Sequence, residues 1–231
     1  MSLPQQLWCF MKWSGNASSP DVVFCDNHLL IAFKPAGWLT QPDDTKRNDL
    51  ESFAKEWVKK EFNKPGAVFL HCIHRLDRPV SGLVLFAKTS KALTRLNEAS
   101  RKGEIQRWYT AEVEGILAQK KGMLEHFLVH GEHQAIVSTS KNPEAKKAVL
   151  TYQVIAIKEH STIVEIELQT GRYHQIRAQF SAIGHPIVLD SRYKAKKGNG
   201  NEIHLSCTEL RFAHPVTCEE LSFHSDPPFS M

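Results

Sequence analysis

The chain has 231 residues, 42% hydrophobic and 23% charged, with 29 Lys and Arg against 25 Asp and Glu for a formal net charge of +4. A globular chain of this length buries roughly 70% of its unfolded surface and needs neither a disulfide nor a structural metal to fold, while the mild basic bias permits a nucleic-acid partner without demanding one. Five Cys at irregular spacings, no secretory segment and no apolar run near the roughly 18 residues of a membrane span exclude a disulfide framework and a spanning helix, and point to reduced thiols in a cytoplasmic protein.

Residues 1–20 end in the turn-rich SGNASSP and are expected to form an N-terminal tail or docked flap, leaving 21–231 as one domain. Val22 to Phe33 reads as two short strands joined at Asp26-Asn27, followed by KPAG at Lys34 to Gly37. Asn48 or Asp49 can cap a helix that gathers Leu50, Phe53, Ala54, Trp57, Val58 and Phe62 on one face, with Lys55, Lys59 and Lys60 on the solvated side.

The stretch HRLDRPVSGLVLFAK, from His74 to Lys88, sets Asp77 between Arg75 and Arg78 on a loop feeding the apolar run Leu83 to Ala87, which reads as a buried strand. Two flanking guanidiniums favour a charged carboxylate and also attract phosphate. The plain alternative is a surface Arg/Asp cluster that closes a loop. Thr89 and Ser90 then offer caps to a helix with Leu93 and Leu96 inward and a stop at Gly103. Residues 105–117 alternate as a strand with Tyr109 near its start, a residue that could equally be core filler.

Residues 118–147 carry the weakest pattern, with a strand over Met123 to His130 and the polar loop KNPEAKK. AVLTYQVIAI and TIVEIEL flank the turn KEHS and read as an antiparallel hairpin. The second run leads into TGRYHQIRAQFSAIGHP, in which Ile176, Phe180 and Ile183 recur at helical spacing and Gly184 and Pro186 stop the helix. Arg172, His174 and Arg177 therefore gather at the start of that helix, where free backbone N–H groups favour anions. A strand near 186–189, the basic loop RYKAKKGNG and strands near 203–213 and 218–224 complete the chain.

Loops that leave a sheet gather at one rim, so Asp77 and Arg177 can face each other across a cleft with an aromatic hydroxyl nearby. That set suits covalent or proton-transfer chemistry on an anionic substrate. His204, Cys207, His214 and Cys218, and separately His71, Cys72 and His74, loosely resemble zinc-site spacings, but the first group falls across β-rich runs rather than paired knuckles. No metal is expected. The chain has no G-x-S-x-G turn, phosphate-binding loop or dinucleotide fingerprint.

HRLDRPVSGLVLFAKT at 74–89, with KPAG before it and TGRYHQIRAQFSAIGHPI after it, resembles the RluA-type pseudouridine synthases, and the similarity runs from about residue 21 to Pro228. The resemblance implies an α+β fold: a mixed, mainly antiparallel sheet flanked by helices, with a central RNA-binding cleft. It also implies a reaction that breaks the bond between uracil and ribose, turns the base and rejoins it through carbon without a cofactor. Asp77 then resembles the catalytic aspartate, Tyr109 the active-site tyrosine that stacks near the base and is a candidate for proton transfer, and Arg177 the arginine that pairs with the aspartate. Arg75 resembles the arginine that holds the flipped nucleotide's place, and Arg78, Arg172, His174 and Gln175 belong to the substrate side, the last two in a motif that can be mainly structural.

The implied partner is structured RNA, ribosomal or transfer. No membrane and no obligate protein partner are expected, and the protein is expected to be a monomer. Gln179 stands where the family has His, Leu189 and Lys194 replace glycines of GDxxYG, and Leu205-Ser206-Cys207 replaces LHA. These departures bear on which RNA is read. Many relatives carry an N-terminal S4 domain, for which the chain before Lys34 leaves no room, so recognition is expected from the catalytic domain, including Arg192 to Lys197. The alternative is a catalytically silent RNA-binding protein of the same fold; a zinc-stabilised binding protein is a third reading.

Overall fold

A computed structural model describes residues 9–13 and 15–230. Among these, twelve strands form one sheet: β1 (Cys9–Trp13), β2 (Asp21–Cys25), β3 (Leu29–Lys34), β4 (His71–Cys72), β5 (Ser81–Ala87), β6 (Gln106–Glu114), β7 (Lys121–His130), β8 (Ala135–Ser138), β9 (Lys146–Ile157), β10 (Ser161–Leu168), β11 (Leu205–Ala213) and β12 (Glu220–Ser225). Three helices, α1 (Leu50–Glu61), α2 (Ser90–Lys102) and α3 (Gln175–Ala182), pack on it. The strand order β2-β3-β5-β11-β6-β10-β9-β7-β8 is antiparallel except where β5 meets β11, and β12 joins β11 to a parallel β1. The expected mixed, mainly antiparallel architecture is the one observed.

Sequence chemistry accounts for the framework. Every residue of β3 and β5 is buried, as their unbroken apolar runs require of strands covered on both faces. Asp49 caps α1 by accepting from Ser52 N at 2.8 Å, and Thr89 caps α2 through Ala92 N at 3.2 Å. Gly103 closes α2 in the left-handed region at φ 76°. Asp26 tightens the β2–β3 turn by accepting from His28 N at 2.7 Å and Leu29 N at 2.6 Å. Phe33, Phe86, Phe180, Phe212 and Phe223 are fully buried in the core.

The junction of β5 and β11 matters most for the site. Gly82 sits at φ 121°, and a Cβ there would collide with the backbone of Cys207. Only glycine allows this close parallel approach, which sets the loop before β5 beside the start of β11, the strand that pairs with β6.

Several expectations need correction. No strand forms at 186–189: Pro186 lacks an N–H, Leu189 takes φ 69°, and the segment makes one isolated bridge, Ile187 to Val113, before a short 3-10 turn at Ser191–Tyr193. Residues 118–147 hold more structure than their pattern showed, since β7 starts at Lys121 and β8 pairs with it. Phe62 lies past the end of α1 and is 47% exposed, edge-on to Trp57 and beneath the Lys88 ammonium rather than on the buried face. Of the N-terminal segment, residues 9–13 join the sheet as β1, and residues 1–8 lie outside the described residues.

Candidate active site

Asp77 and Arg177, 100 positions apart in the chain, meet in the fold: Arg177 Nη1 donates to Asp77 Oδ2 at 2.9 Å. The other edge of the same guanidinium is taken by Asp190, with Nε to Oδ2 at 2.7 Å and Nη2 to Oδ1 at 2.9 Å. The side chains of Arg177 and Asp190 are 4% and 2% exposed, whereas Asp77 is 27% exposed. Asp190 therefore fixes the guanidinium from behind, and Asp77 is the member of the chain of charges that faces outward. Burial works against the charge of Arg177, but the hydrogen bonds and charges of Asp190 and Asp77 outweigh it, so the group is held protonated more firmly than a free guanidinium.

KPAG builds the other side of the loop. Lys34 is completely buried, and its Nζ donates to the carbonyls of Pro35 at 3.1 Å, Trp38 at 2.7 Å and Arg78 at 3.1 Å. Burial pushes its pKa down to about 7, while the charge of Asp77 pulls the other way. The backbone of Leu76 is clamped by Thr40, whose Oγ1 donates to Leu76 O at 2.9 Å and accepts from Leu76 N at 3.0 Å. Asp77 is thus held through the backbone on both sides of it.

His174 precedes α3 at φ 50°, a left-handed turn that aims its ring back at the cleft. Its Nδ1 is 2.9 Å from the Tyr193 hydroxyl and its Nε2 is 3.5 Å from Asp77 Oδ2. Burial first, then the charges of Arg177 and Arg192, push it down to about 4 against the pull of Asp77, so it is neutral at physiological pH. The Tyr193 hydroxyl also accepts from Ala135 N at 2.6 Å, so it ties the His174 ring to β8. Tyr193 in turn stacks beneath Arg177 at 4.9 Å.

Two cavities share the wall made by Arg75, Leu76, Asp77, Tyr173, His174 and Arg177, one of about 460 Å³ and the other of about 1140 Å³. Tyr109 lines the smaller, 5% exposed, and burial foremost holds its phenol protonated well above the usual range. Its neutral ring forms part of the lining beside the carboxylate. Arg75 is exposed and lines both cavities. Arg78 is tied down, donating to Asn201 Oδ1 at 3.1 Å and Gly200 O at 2.6 Å. Arg172 lines the smaller cavity while its Nε donates to Lys147 O at 3.0 Å.

Gln175 is 3% exposed, and its amide is spent inside the chain: it accepts from Thr170 Oγ1 at 2.7 Å and Arg172 N at 3.0 Å and donates to Val149 O at 3.1 Å. It shapes the turn into α3 while adjoining the smaller cavity. Gln179, buried, ties α3 to the carbonyls of Leu124 at 3.0 Å and Ala148 at 3.2 Å.

Asp77, Tyr109, Arg177, Arg75 and His174 come together as the sequence reading required. That reading missed Asp190 and Tyr193 as site residues. Their signal was present: LDSRYKAK keeps the Asp and Tyr of GDxxYG, and these are the two side chains that hold Arg177 and His174. Two histidines of the first zinc-like spacing serve elsewhere. His204 Nδ1 is 2.7 Å from Glu112, His214 Nε2 is 2.9 Å from Asp26, and among the described residues no three such side chains converge as metal ligands do.

The model of a family described as RNA pseudouridylate synthase matches residues 28–182. An uncharacterized RNA pseudouridine synthase of Bacillus subtilis, YhcT, is 34% identical over 215 residues, spanning 91% of this chain and 70% of that protein. Ribosomal large subunit pseudouridine synthase D of Vibrio vulnificus is 30% identical over 240 residues, spanning 96% and 71%. The solved structure of human RNA pseudouridylate synthase domain containing 4 superposes with a TM-score of 0.75 over 90% of this chain and 88% of that one at 20% identity, a likeness of fold.

Proposed function

The chain belongs to the RNA pseudouridylate synthase family, as an RluA-type isomerase, and on that premise we propose that Asp77 is the nucleophile that converts uridine to pseudouridine in a ribosomal or transfer RNA. One observation carries the assignment: Asp77 is the part-exposed carboxylate on the wall of a cavity, 2.9 Å from a buried guanidinium whose other edge is held by two bonds to Asp190. A nucleophilic carboxylate needs its charge balanced without being covered, and a guanidinium anchored at its far edge does this.

In the reaction the N1–C1′ bond breaks, the uracil turns, C5 bonds to C1′, and the proton lost from C5 is replaced by one at N1, so the formula is unchanged. Asp77 acts at the sugar-to-base linkage. The Tyr109 ring stacks near the base, and the neutral His174 ring lies 3.5 Å from the same carboxylate. The cavity of about 460 Å³ takes one extruded nucleotide, and the exposed Arg75 at the shared wall is placed to hold its vacated position. On this reading the protein works as a cytoplasmic monomer without a cofactor.

Mapping pseudouridine across ribosomal and transfer RNA in cells with and without the gene tests the reading. At least one site is expected to vanish with the gene and return with it. Identical maps would leave the catalytically silent RNA-binding protein as the better account.

A further inference from the structure

Arg107 stands two residues before Tyr109 on β6, so the two side chains leave the strand on the same face, and both line the smaller cavity. Among the described residues no hydrogen bond or ion pair engages its guanidinium. Nε is buried without an acceptor, and Nη1 and Nη2 lie against Gly171, where a Cβ would stand 3.0 Å from each. The groups around it cannot balance its charge. Asp77 is occupied by Arg177, the Tyr109 phenol is neutral, and His74 is neutral because burial and then the charge of Arg107 itself push it down to about 3.

A guanidinium left unpaired in a part-dry cleft is costly unless a ligand completes it. The carbonyl of a uracil is too weak a counterpart for a full charge, whereas a phosphodiester accepts two parallel N–H bonds and cancels it. Arg101, at the end of α2, lines the same cavity and adds to its positive field.

We propose that Arg107 is a phosphate-binding residue that grips the RNA backbone beside the turned-out uridine, with Gly171 kept small to leave room for the grip. The proposal rests on RNA being the substrate. It places a backbone anchor deep in the cleft, next to Tyr109, in addition to the exposed basic loops.

The test measures equilibrium binding of a short transcript carrying a uridine assigned by the mapping above, over a range of KCl concentrations, for the parent protein and for Arg107→Gln, Arg107→Lys and Gly171→Ala. Arg107→Gln is expected to bind about tenfold more weakly and to show a slope of log K against log salt shallower by about 0.7–0.9, one phosphate contact. Arg107→Lys keeps the charge and is expected to keep the parent slope. Gly171→Ala crowds the same guanidinium from the other side and is expected to lose affinity by at least about threefold. A parent slope in Arg107→Gln, a slope in Arg107→Lys as shallow as that of Arg107→Gln, or unchanged affinity in Gly171→Ala would each overturn the proposal. Pseudouridine formed by the parent protein on the same transcript reports separately on the reaction, so loss of the anchor and loss of the proposed function remain distinct results.

Discussion

The site divides its labour between a carboxylate that faces the cleft and a buried pair that holds it there. Removing Asp190 strands Arg177 in the interior, so Asp190→Ala is expected to cost about 3–5 kcal/mol of stability, whereas Asp77→Ala, which frees a part-exposed edge, costs much less. Urea unfolding of the two variants checks this; equal costs would mean that the guanidinium is held by something other than Asp190. Tyr109 bears a neutral phenol whose ring lines the cavity, so Tyr109→Phe is expected to slow product formation by less than about tenfold and Tyr109→Ala by much more. A Phe variant as impaired as the Ala variant would assign the work to the hydroxyl instead of the ring.

At the scale of elements, the loop carrying Asp77 is positioned by the close approach at Gly82, by the Lys34 ammonium, by the Thr40 clamp on Leu76 and by its own turn bond from Val80 N to Asp77 O at 3.0 Å. Lys34→Met would leave the carbonyls of Pro35 and Trp38 without their donor, while Arg78 O keeps the Gly37 N–H at 2.8 Å, and an expected loss of about 2 kcal/mol or more in chemical denaturation follows from the cost of unsatisfied buried acceptors. The departures of 189 and 194 from glycine acquire a physical meaning, since Leu189 and Lys194 sit at φ 69° and 72°. Lys194→Gly is therefore expected to stabilise the protein by about 0.5–1 kcal/mol, and a destabilised variant would show that the lysine side chain makes up for its strain.

These elements also show what the sequence could and could not disclose. Helices α1 and α2 were legible because Asp49, Thr89 and Gly103 are local signals. β3, β5 and the β9–β10 hairpin were legible because their periodicity is unbroken. β8 was not, since its four residues AIVS are too few to show an alternation and Ile136 and Val137 are both exposed, and its stability comes from pairing with β7. The strand expected at 186–189 failed because a short apolar run cannot report a positive φ at its end. In the site, HRLD and HQIR named their own charged partners, but Asp190 became a partner only through a contact that brings a loop back across α3, information that resides in the fold.

For the molecule as a whole, two neutral buried imidazoles link stability to pH. His74 and His174 fall to about 3 and about 4 in the fold, below the ordinary 6.5, so the unfolded chain binds protons that the folded chain refuses. Their stabilising effect is complete above pH 6.5 and is lost as pH falls toward 4, by about 1 kcal/mol per pH unit for each histidine within that window. Lys34, pushed down to about 7 by burial against 10.5 in the unfolded chain, adds a slope of the same sign near pH 7 that fades out below about pH 6. Denaturation midpoints measured from pH 7 down to 4.5 should fall, and more gently for His174→Gln; a flat profile would show that these rings are protonated in the fold.

The whole account depends on Asp77 acting in the cleft that the sheet, α3 and the KPAG segment assemble around it. The most direct test is the yield of pseudouridine from unmodified target RNA with purified parent protein and with Asp77→Asn, which preserves the size of the side chain. The parent is expected to form product, and Asp77→Asn is expected to bind the RNA and form none. Product from the Asn variant at a rate near that of the parent would contradict the account.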